Sequence, residues 1–399
     1  MTRCRPQPRA TPSHAPPPAM RRILSRATPA TRRPSHAPPP LRFRTPLWLK
    51  WRIVARGTDQ LTIAIGSYLE PDLVARIREA QPDARVIYEP GLLPVPRYLC
   101  DHTGTSRDLS LADLERWRAL TGQADIFFDF DWLDPELMSA RGPRLRWVQA
   151  TSAGVGAFMR RTGLDRAPVT VTTAAGIHGV PLAEFALMGA LHFIKGVPEL
   201  RRWQQARHWE LYATRQLAGE RALVVGLGGI GRQVAAAFAA LGLEVIGLGR
   251  DGRSYDVPGL SRVIYRSELD AELPGVGILV LCCPLTPQTQ GLIGREQLAA
   301  LPARAILVNV ARGQVVDQDA LIDALAAGRL AGACLDVATP EPLPPGSPLW
   351  EMDNVLISPH SASTVATENA LLTDLFIDNL DRFTSGRPLR NRYEPERGY

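Results

Sequence analysis

RALVVGLGGIGRQVAAAFAALG, residues 221–242, runs an apolar strand into a helix of small residues through a glycine-rich turn. The turn is a GxGxxG built on Gly226, Gly228 and Gly231. Such a motif is informative when it follows a strand and opens a helix, as it does here. Gly226 permits the tight turn, Gly228 lets a pyrophosphate approach the backbone, and Gly231 lets helix and strand pack closely. The helix N-terminus then offers free N–H groups and a positive dipole end to phosphates.

Outward from this turn, the chain alternates apolar runs with helical patterns. Downstream, LEVIGLG, VGILVLCCPL (276–285), AILVNVA (305–311), GACLDVA (332–338) and NVLISPH (354–360) read as strands. Upstream, LTIAIG (61–66), RVIYEP (85–90), DIFFDF (125–130), LRWVQAT (145–151) and VTVTTAAG (169–176) read the same way. Helices are predicted over 71–80 and 111–120, from about 181 to 195 and on to about 208, and over about 364–383. Strands alternating with helices argue parallel sheets covered on both faces. The expected architecture is α/β, with two doubly wound, Rossmann-like or flavodoxin-like domains behind an N-terminal tail. The expected boundaries are 1–57 for the tail, 58–175 for the first domain, 176–362 for the dinucleotide-binding domain and 363–399 for a C-terminal helix and tail.

The formal net charge of +6 over 399 residues misleads. No Asp or Glu precedes Asp59, and residues 1–58 hold thirteen Lys and Arg, so the rest of the chain carries the difference, −7. The basic excess is in the tail, and nucleic-acid binding by the core gains no support. The tail repeats PSHAPPP at 12–18 and 34–40. Its prolines block helix and sheet and its apolar content is too low for a core, so a disordered segment is expected. A transit segment, a basic arm and an extension from an early start codon are its open readings. No apolar run reaches the eighteen or so residues of a membrane span. Five cysteines without a CxxC pair suggest neither a disulfide framework nor a metal cluster, and a reducing, cytoplasmic setting fits. Cys282 and Cys283 read as small apolar residues finishing a buried strand.

The strand after the turn ends Gly249-Arg250-Asp251. An acid binding the ribose 2′-OH belongs about twenty residues after the turn, and Gly249 stands there instead. Arg250 could pair with a 2′-phosphate, so NADPH is favoured, and Asp251 keeps NAD open. Three later strand ends supply Arg312, Asp336, Glu341 and His360, where doubly wound sheets place their ligands. Together they suit reduction of a 2-oxo acid. An Arg holds the carboxylate bidentately and polarises the adjacent carbonyl. A His donates the proton to the forming alkoxide, and a Glu beside it holds the imidazolium and raises its pKa.

VVGLGGIGRQVA, LCCPLTPQTQGLI, LVNVARGQVVDQDAL, GACLDVATPEPLP and SPHSAS occur in the order of the D-isomer-specific 2-hydroxyacid dehydrogenase family, which the chain resembles from about 61 to 381. The resemblance implies that Arg312, Glu341 and His360 are catalytic. It puts Gly229 and Ile230 on the pyrophosphate, and Cys283, Pro284 and Thr289 along the cofactor cleft. Val310, Ala311 and Arg312 would flank the nicotinamide, and Asp336 would bind its carboxamide. Ala153 and Gly154, in TSAGVG, match the loop whose backbone N–H groups hold the substrate carboxylate. The resemblance also implies a discontinuous substrate domain completed by the last helix, a cleft that closes on substrate, and a homodimer through residues 181–209.

Gly156 and Thr173 stand where many members carry Asp and Asn, and GIHGVPLAEF lacks the Asn of formate dehydrogenases of this fold. A small 2-oxo acid such as glyoxylate or hydroxypyruvate, reduced to the D-2-hydroxy acid, is the expected substrate; no metal, membrane or nucleic-acid partner is expected. A second reading, from another class, is a dinucleotide-sensing corepressor-like protein, which would keep the same triad and use residues 1–57 on partners. A third, amino-acid dehydrogenation, lacks a catalytic lysine, since Lys50 and Lys195 lie outside the predicted cleft.

Overall fold

The computed structural model describes residues 60–140 and 144–398. The tail, and every expectation placed on it, lies outside them. Two parallel sheets are present, as the alternation of strands and helices led one to expect. The first carries β1 (Thr62–Ile65), β2 (Arg85–Ile87), β3 (Ile126–Phe128), β4 (Trp147–Gln149) and β5 (Thr170–Thr172), in the order β2-β1-β3-β4-β5. This is the flavodoxin-like doubly wound order.

The second sheet has seven strands: β6 (Arg221–Val225), β7 (Glu244–Leu248), β8 (Arg262–Ile264), β9 (Ile278–Leu281), β10 (Ile306–Asn309), β11 (Gly332–Leu335) and β12 (Val355–Ile357). Their order is β12-β11-β10-β9-β6-β7-β8, so β6 and β9 flank the reversal point at which this architecture binds dinucleotides. β8 was not foreseen. It is three residues long, sits at the sheet edge and has an exposed Arg262, so it carries no strong apolar signal. Several strands are shorter than their apolar runs. Residues 276–285 yield Ile278–Leu281, because the Cys282 N–H makes the last bond to β6, at 2.9 Å to the Val225 carbonyl, and Pro284 has no N–H to donate.

Each sheet buries both faces. α1 (Pro71–Ala80) begins with Pro at its first turn and turns Leu73, Val74 and Ile77 inward. α2 (Leu111–Thr121) is started by a Ser110–Asp113 capping box. α3 (Gly156–Thr162) follows β4 directly. α4 (Gly179–Ile194) and α5 (Val197–Ala206) come next, and the small residues of α4 pack on the second sheet, with Ala186 and Ala190 in one cluster with Val224, Phe238 and Val308. α6 (Gly229–Ala240), α7 (Leu269–Glu272), α8 (Arg295–Ala300) and α9 (Gln318–Ala326) complete that unit.

α10 (Glu368–Thr384) returns to the first sheet, where Leu372, Phe376 and Leu380 join Ile63, Phe128 and Trp147. The Phe376 ring stacks on Trp147 at 5.1 Å and meets Phe128 edge-on at 5.3 Å. Burying an aromatic side chain of this size contributes about 1.5–3 kcal/mol. The first sheet thus takes its strands from residues 62–172 and one of its covering helices, α10, from the far end of the described chain. α10 starts four residues later than the apolar period suggests, because residues 361–367 form the crossing between sheets, with a turn from the Thr364 N–H to the Ser361 carbonyl.

At the crossings, Nε2 of His178, the residue before α4, lies 3.1 Å from Glu368 Oε1, and both side chains are buried. Among the described residues, no single helix is long and apolar enough to cross a membrane.

Candidate active site

The glycine turn folds as its spacing dictates. Gly226 has φ of +95°, and a Cβ there would sit 2.7 Å from Cys283 Cα. A Cβ on Gly231 would overlap the Gly226 carbonyl oxygen, whereas one on Gly228 would meet nothing within 4 Å. Strand, turn and helix are therefore locked together while the mouth at Gly228 stays open. α6 is twelve residues long, and its first-turn N–H groups, at Gly229, Ile230 and Gly231, lack intrahelical acceptors. This cradle fits a pyrophosphate.

Gly249 follows β7, and a Cβ on it would come 2.5 Å from the Tyr255 ring. Packing therefore leaves no room for an acidic side chain at that position. The Tyr255 hydroxyl accepts the Arg250 N–H at 2.9 Å, and the Arg253 guanidinium lies 5.4 Å over the Tyr255 ring. Arg250, exposed, is thus fixed by its backbone at the end of β7. Tyr255 and Arg253 gave no signal in the sequence, because their part depends on the loop folding back.

On the other side of the reversal point, burial pushes the Cys283 thiol up to about 12 and Cys282 higher still. Both thiols stay protonated and apolar in character, the property expected of strand-end residues. The Thr289 hydroxyl donates to the Pro284 carbonyl at 2.7 Å and accepts from the Thr286 N–H at 2.8 Å. Its side chain holds the 284–289 turn, so its place at the cleft is a backbone matter. Val310 and Ala311 are buried beyond β10.

Arg312 is set by Asn309, a residue the sequence did not single out. Asn309 Oδ1 accepts the Ala311 N–H at 3.0 Å and its Nδ2 donates to the Arg312 carbonyl at 3.1 Å. The Arg312 side chain donates to the Ala311 carbonyl at 2.7 Å and reaches the Gly154 carbonyl at 3.5 Å, the limit of a hydrogen bond. A Cβ on Gly154 would overlap this guanidinium. Among the described residues, Arg312 donates hydrogen bonds to carbonyl oxygens and makes no ion pair with a carboxylate. Burial lowers its pKa, and the more distant charges of Glu341 and Asp336 oppose that shift. Among the described residues, the site thus holds a half-buried cation without a contacting carboxylate.

His360 follows β12 with φ of +56°, a left-handed conformation uncommon for a side-chain-bearing residue and often found at functional sites. Asp336 holds it there. Its buried Oδ1 accepts the Ser358 hydroxyl at 2.7 Å and the Ala362 N–H at 3.0 Å, which brackets His360 on both sides. His360 Nδ1 lies 2.8 Å from Glu341 Oε2, so Nε2 is the ring nitrogen that Glu341 does not engage. Glu341 Oε1 accepts the Ala338 N–H at 3.0 Å. Gln318 clamps the same loop through the Thr339 backbone, with contacts of 2.6 and 2.8 Å. Burial raises the Glu341 carboxyl, but the bonds from His360 and Ala338, with the charges of His360 and Arg312, leave it below the ordinary glutamate range.

The structure therefore brings Glu341 to His360 and Arg312 to Gly154 across the two sheets' units, and places Asp336 under the His360 loop. Ala153 is half-buried beside Gly154. Gly156 has no side chain for a spatial reason, since a Cβ there would overlap the Gly398 carbonyl oxygen.

Comparison with known proteins identifies the family. Residues 187–362 match the family model described as D-isomer specific 2-hydroxyacid dehydrogenase, NAD binding domain. The chain is 31% identical over 274 residues to glyoxylate/hydroxypyruvate reductase A of Salmonella newport (strain SL254), covering 67% of this chain and 86% of that protein. It is 30% identical over 286 residues to hydroxyphenylpyruvate reductase of Plectranthus scutellarioides, covering 71% and 87%. Among solved structures, a D-isomer specific 2-hydroxyacid dehydrogenase from Xanthobacter autotrophicus Py2, in complex with NADPH and MES, aligns with a TM-score of 0.69 at 32% identity over 86% of this chain and all of that one. The NADPH-dependent glyoxylate/hydroxypyruvate reductase from Sinorhizobium meliloti aligns with a TM-score of 0.68 at 25% identity, over 85% of this chain and all of that one. The chain belongs to the D-isomer specific 2-hydroxyacid dehydrogenase family and is an NAD(P)-dependent oxidoreductase.

Proposed function

We propose that the protein reduces a small 2-oxo acid of the glyoxylate or hydroxypyruvate type to the D-2-hydroxy acid, with NADPH as the preferred cofactor. The observation that carries this reading is the half-buried Arg312, which makes no ion pair with a carboxylate among the described residues and feels the charge of Glu341, the partner of His360. A substrate carboxylate supplies the missing counter-charge, bound between Arg312 and the N–H groups at Ala153 and Gly154. The carbonyl next to it is then polarised by the same guanidinium. The bound nicotinamide supplies the hydride. His360 Nε2 delivers the proton to the forming alkoxide, and Glu341 stabilises the imidazolium through Nδ1. Asp336 keeps His360 in its left-handed pose and has its second carboxylate oxygen for the carboxamide.

The test is the initial rate of glyoxylate- and hydroxypyruvate-dependent oxidation of NADPH and NADH, side by side. Turnover faster with NADPH supports the reading. Cofactor binding without turnover on either acid refutes this substrate class and returns the sensor alternative.

NADPH preference rests on Arg250 beside a Gly249 that admits no acid, and the relatives solved with NADPH or NADP agree with it. Arg250→Ala is expected to raise KM for NADPH roughly 5- to 30-fold, the worth of one exposed charge-assisted bond, and to leave NADH unchanged. An equal loss with both cofactors would rule out a 2′-phosphate contact.

A depressed glutamate pKa stabilises the charged form above the unfolded value, and that stability is lost as pH falls through the folded value. Glu341 therefore stays ionised to lower pH than an ordinary glutamate does. An acid limb of kcat/KM set by Glu341 is expected below that range and should vanish in Glu341→Gln. The same limb persisting in the variant would exclude Glu341 as its source.

A homodimer through residues 181–209 is part of the same proposal. Trp209 and Leu211 are 95% and 91% exposed, an unusual state for large apolar side chains close together.

A further inference from the structure

After α10 the chain turns at Gly386, with φ of +68°, and runs back along β5. The Thr173 N–H donates to the Asn391 carbonyl at 2.9 Å and the Tyr393 N–H to the Val171 carbonyl at 2.8 Å. Arg392 pairs with Thr172 in an antiparallel bridge, and Asn391 Nδ2 donates to the Ala175 carbonyl at 2.7 Å. Asn379 on α10 fixes the entry, accepting the Arg390 N–H at 2.8 Å. Residues 390–393 thus cover the open edge of the first sheet.

The next residues reach further. The Tyr393 side chain is 5% exposed and belongs to one apolar cluster with Val155, Met159 and Val171. Val155 lies between Gly154 and Gly156. Residues 394–398 then close a turn, the Arg397 and Gly398 N–H groups both donating to the Glu394 carbonyl at 3.0 and 2.9 Å. That turn seats the Gly398 carbonyl oxygen where a Cβ of Gly156 would be. The loop 151–155 is therefore gripped on three sides. Asp129 accepts the Thr151 hydroxyl at 3.0 Å at its start, Arg312 abuts Gly154, and residues 393–398 press on Val155 and Gly156 from behind.

We infer that residues 390–398 are a strap that positions the substrate-carboxylate loop 151–155, with Tyr393 and Gly398 as its positioning residues. The inference rests on the proposed role of Ala153 and Gly154. The loop's N–H groups must point at one spot to hold a carboxylate, and part of its support, the Tyr393 ring at Val155 and the Gly398 carbonyl at Gly156, comes from a segment more than two hundred residues later in the chain. A side chain at 156 and the turn at 398 compete for one volume, which makes the coupling measurable.

The test uses four full-length or near full-length proteins loaded with NADPH: the parent, Gly156→Ala, a chain ending at Glu394, and the two changes combined. Tyr393 is kept, so the apolar cluster stays filled. The truncation and Gly156→Ala are each expected to raise KM for the oxo acid about five- to tenfold, with kcat and NADPH affinity little changed. Combined, they should cost no more than the truncation does, because the alanine then has nothing to displace. Multiplying effects, or a parental KM in the truncated chain with parental exchange, would overturn the strap. Amide hydrogen exchange over 151–158 supplies a readout independent of turnover and is expected to speed up in the truncated chain. Faster exchange with an unchanged KM would place the fault in the carboxylate role of the loop and not in the strap. Unchanged exchange would overturn the strap itself.

Discussion

His360→Ala is expected to lower kcat by about 10²- to 10⁴-fold, the usual worth of a positioned general acid, while the Kd for NADPH stays within about twofold. The split follows from geometry. His360 is tied through Nδ1 to Glu341 and held from below by Asp336, at the C-terminal end of β12, whereas the pyrophosphate cradle lies after β6. Removing the imidazole takes away a proton donor that acts when charge develops on the substrate oxygen. It touches nothing at Gly226–Gly231. His360→Asn is the matching control, because asparagine tolerates the left-handed backbone at this position but delivers no proton at neutral pH. Single-turnover rates separate the chemical step from cofactor release. A variant that keeps parental turnover would remove His360 from the mechanism.

Arg312→Ala is expected to abolish saturation by oxo acids, with kcat/KM falling by about 30-fold to a few thousand-fold, equivalent to roughly 2–5 kcal/mol for a desolvated charge pair losing one partner. The half-buried guanidinium makes no carboxylate contact among the described residues, so on the proposed role its electrostatic reward comes when a substrate arrives. Arg312→Lys should recover part of the affinity and little of the rate, since a point charge cannot span carboxylate and carbonyl as a planar fork does. Competitive inhibition by a non-reacting dicarboxylate, read in the same variants, measures the carboxylate part by itself. Inhibition of equal strength in parent and Arg312→Ala would show that Arg312 does not bind the acid.

What could be read from the sequence was what the backbone itself dictates. The glycines at 226, 228 and 231 stand where a side chain would collide or close the mouth, so their spacing carried the fold without tertiary knowledge. Buried strands such as Ile306–Asn309 announced themselves as unbroken apolar runs. The rest was hidden because it depends on contacts between distant residues. Asp336 bracketing His360 spans 22 and 26 positions, and Asn309 acts through the turn it closes. α3 is seven residues with no side-chain N-cap, and residues 390–398 look polar and aperiodic although Tyr393 is buried. The glycine at 156 showed itself as a departure from the family pattern, but its cause lies at the other end of the chain.

The bond between His178 and Glu368 has a kinetic consequence. Two separate strands of backbone connect the units built on the two sheets, one ahead of α4 and one ahead of α10, and these side chains fasten them to each other at 3.1 Å. A door on two pins that share one axle swings; it does not twist. If the cleft closes as the family resemblance implies, opening and shutting should therefore appear as a single relaxation, with entry of the proposed oxo acid and escape of its product governed by one barrier. Rapid-mixing fluorescence on substrate binding should show one phase in the parent and two in Glu368→Ala, where the pins are free to turn separately.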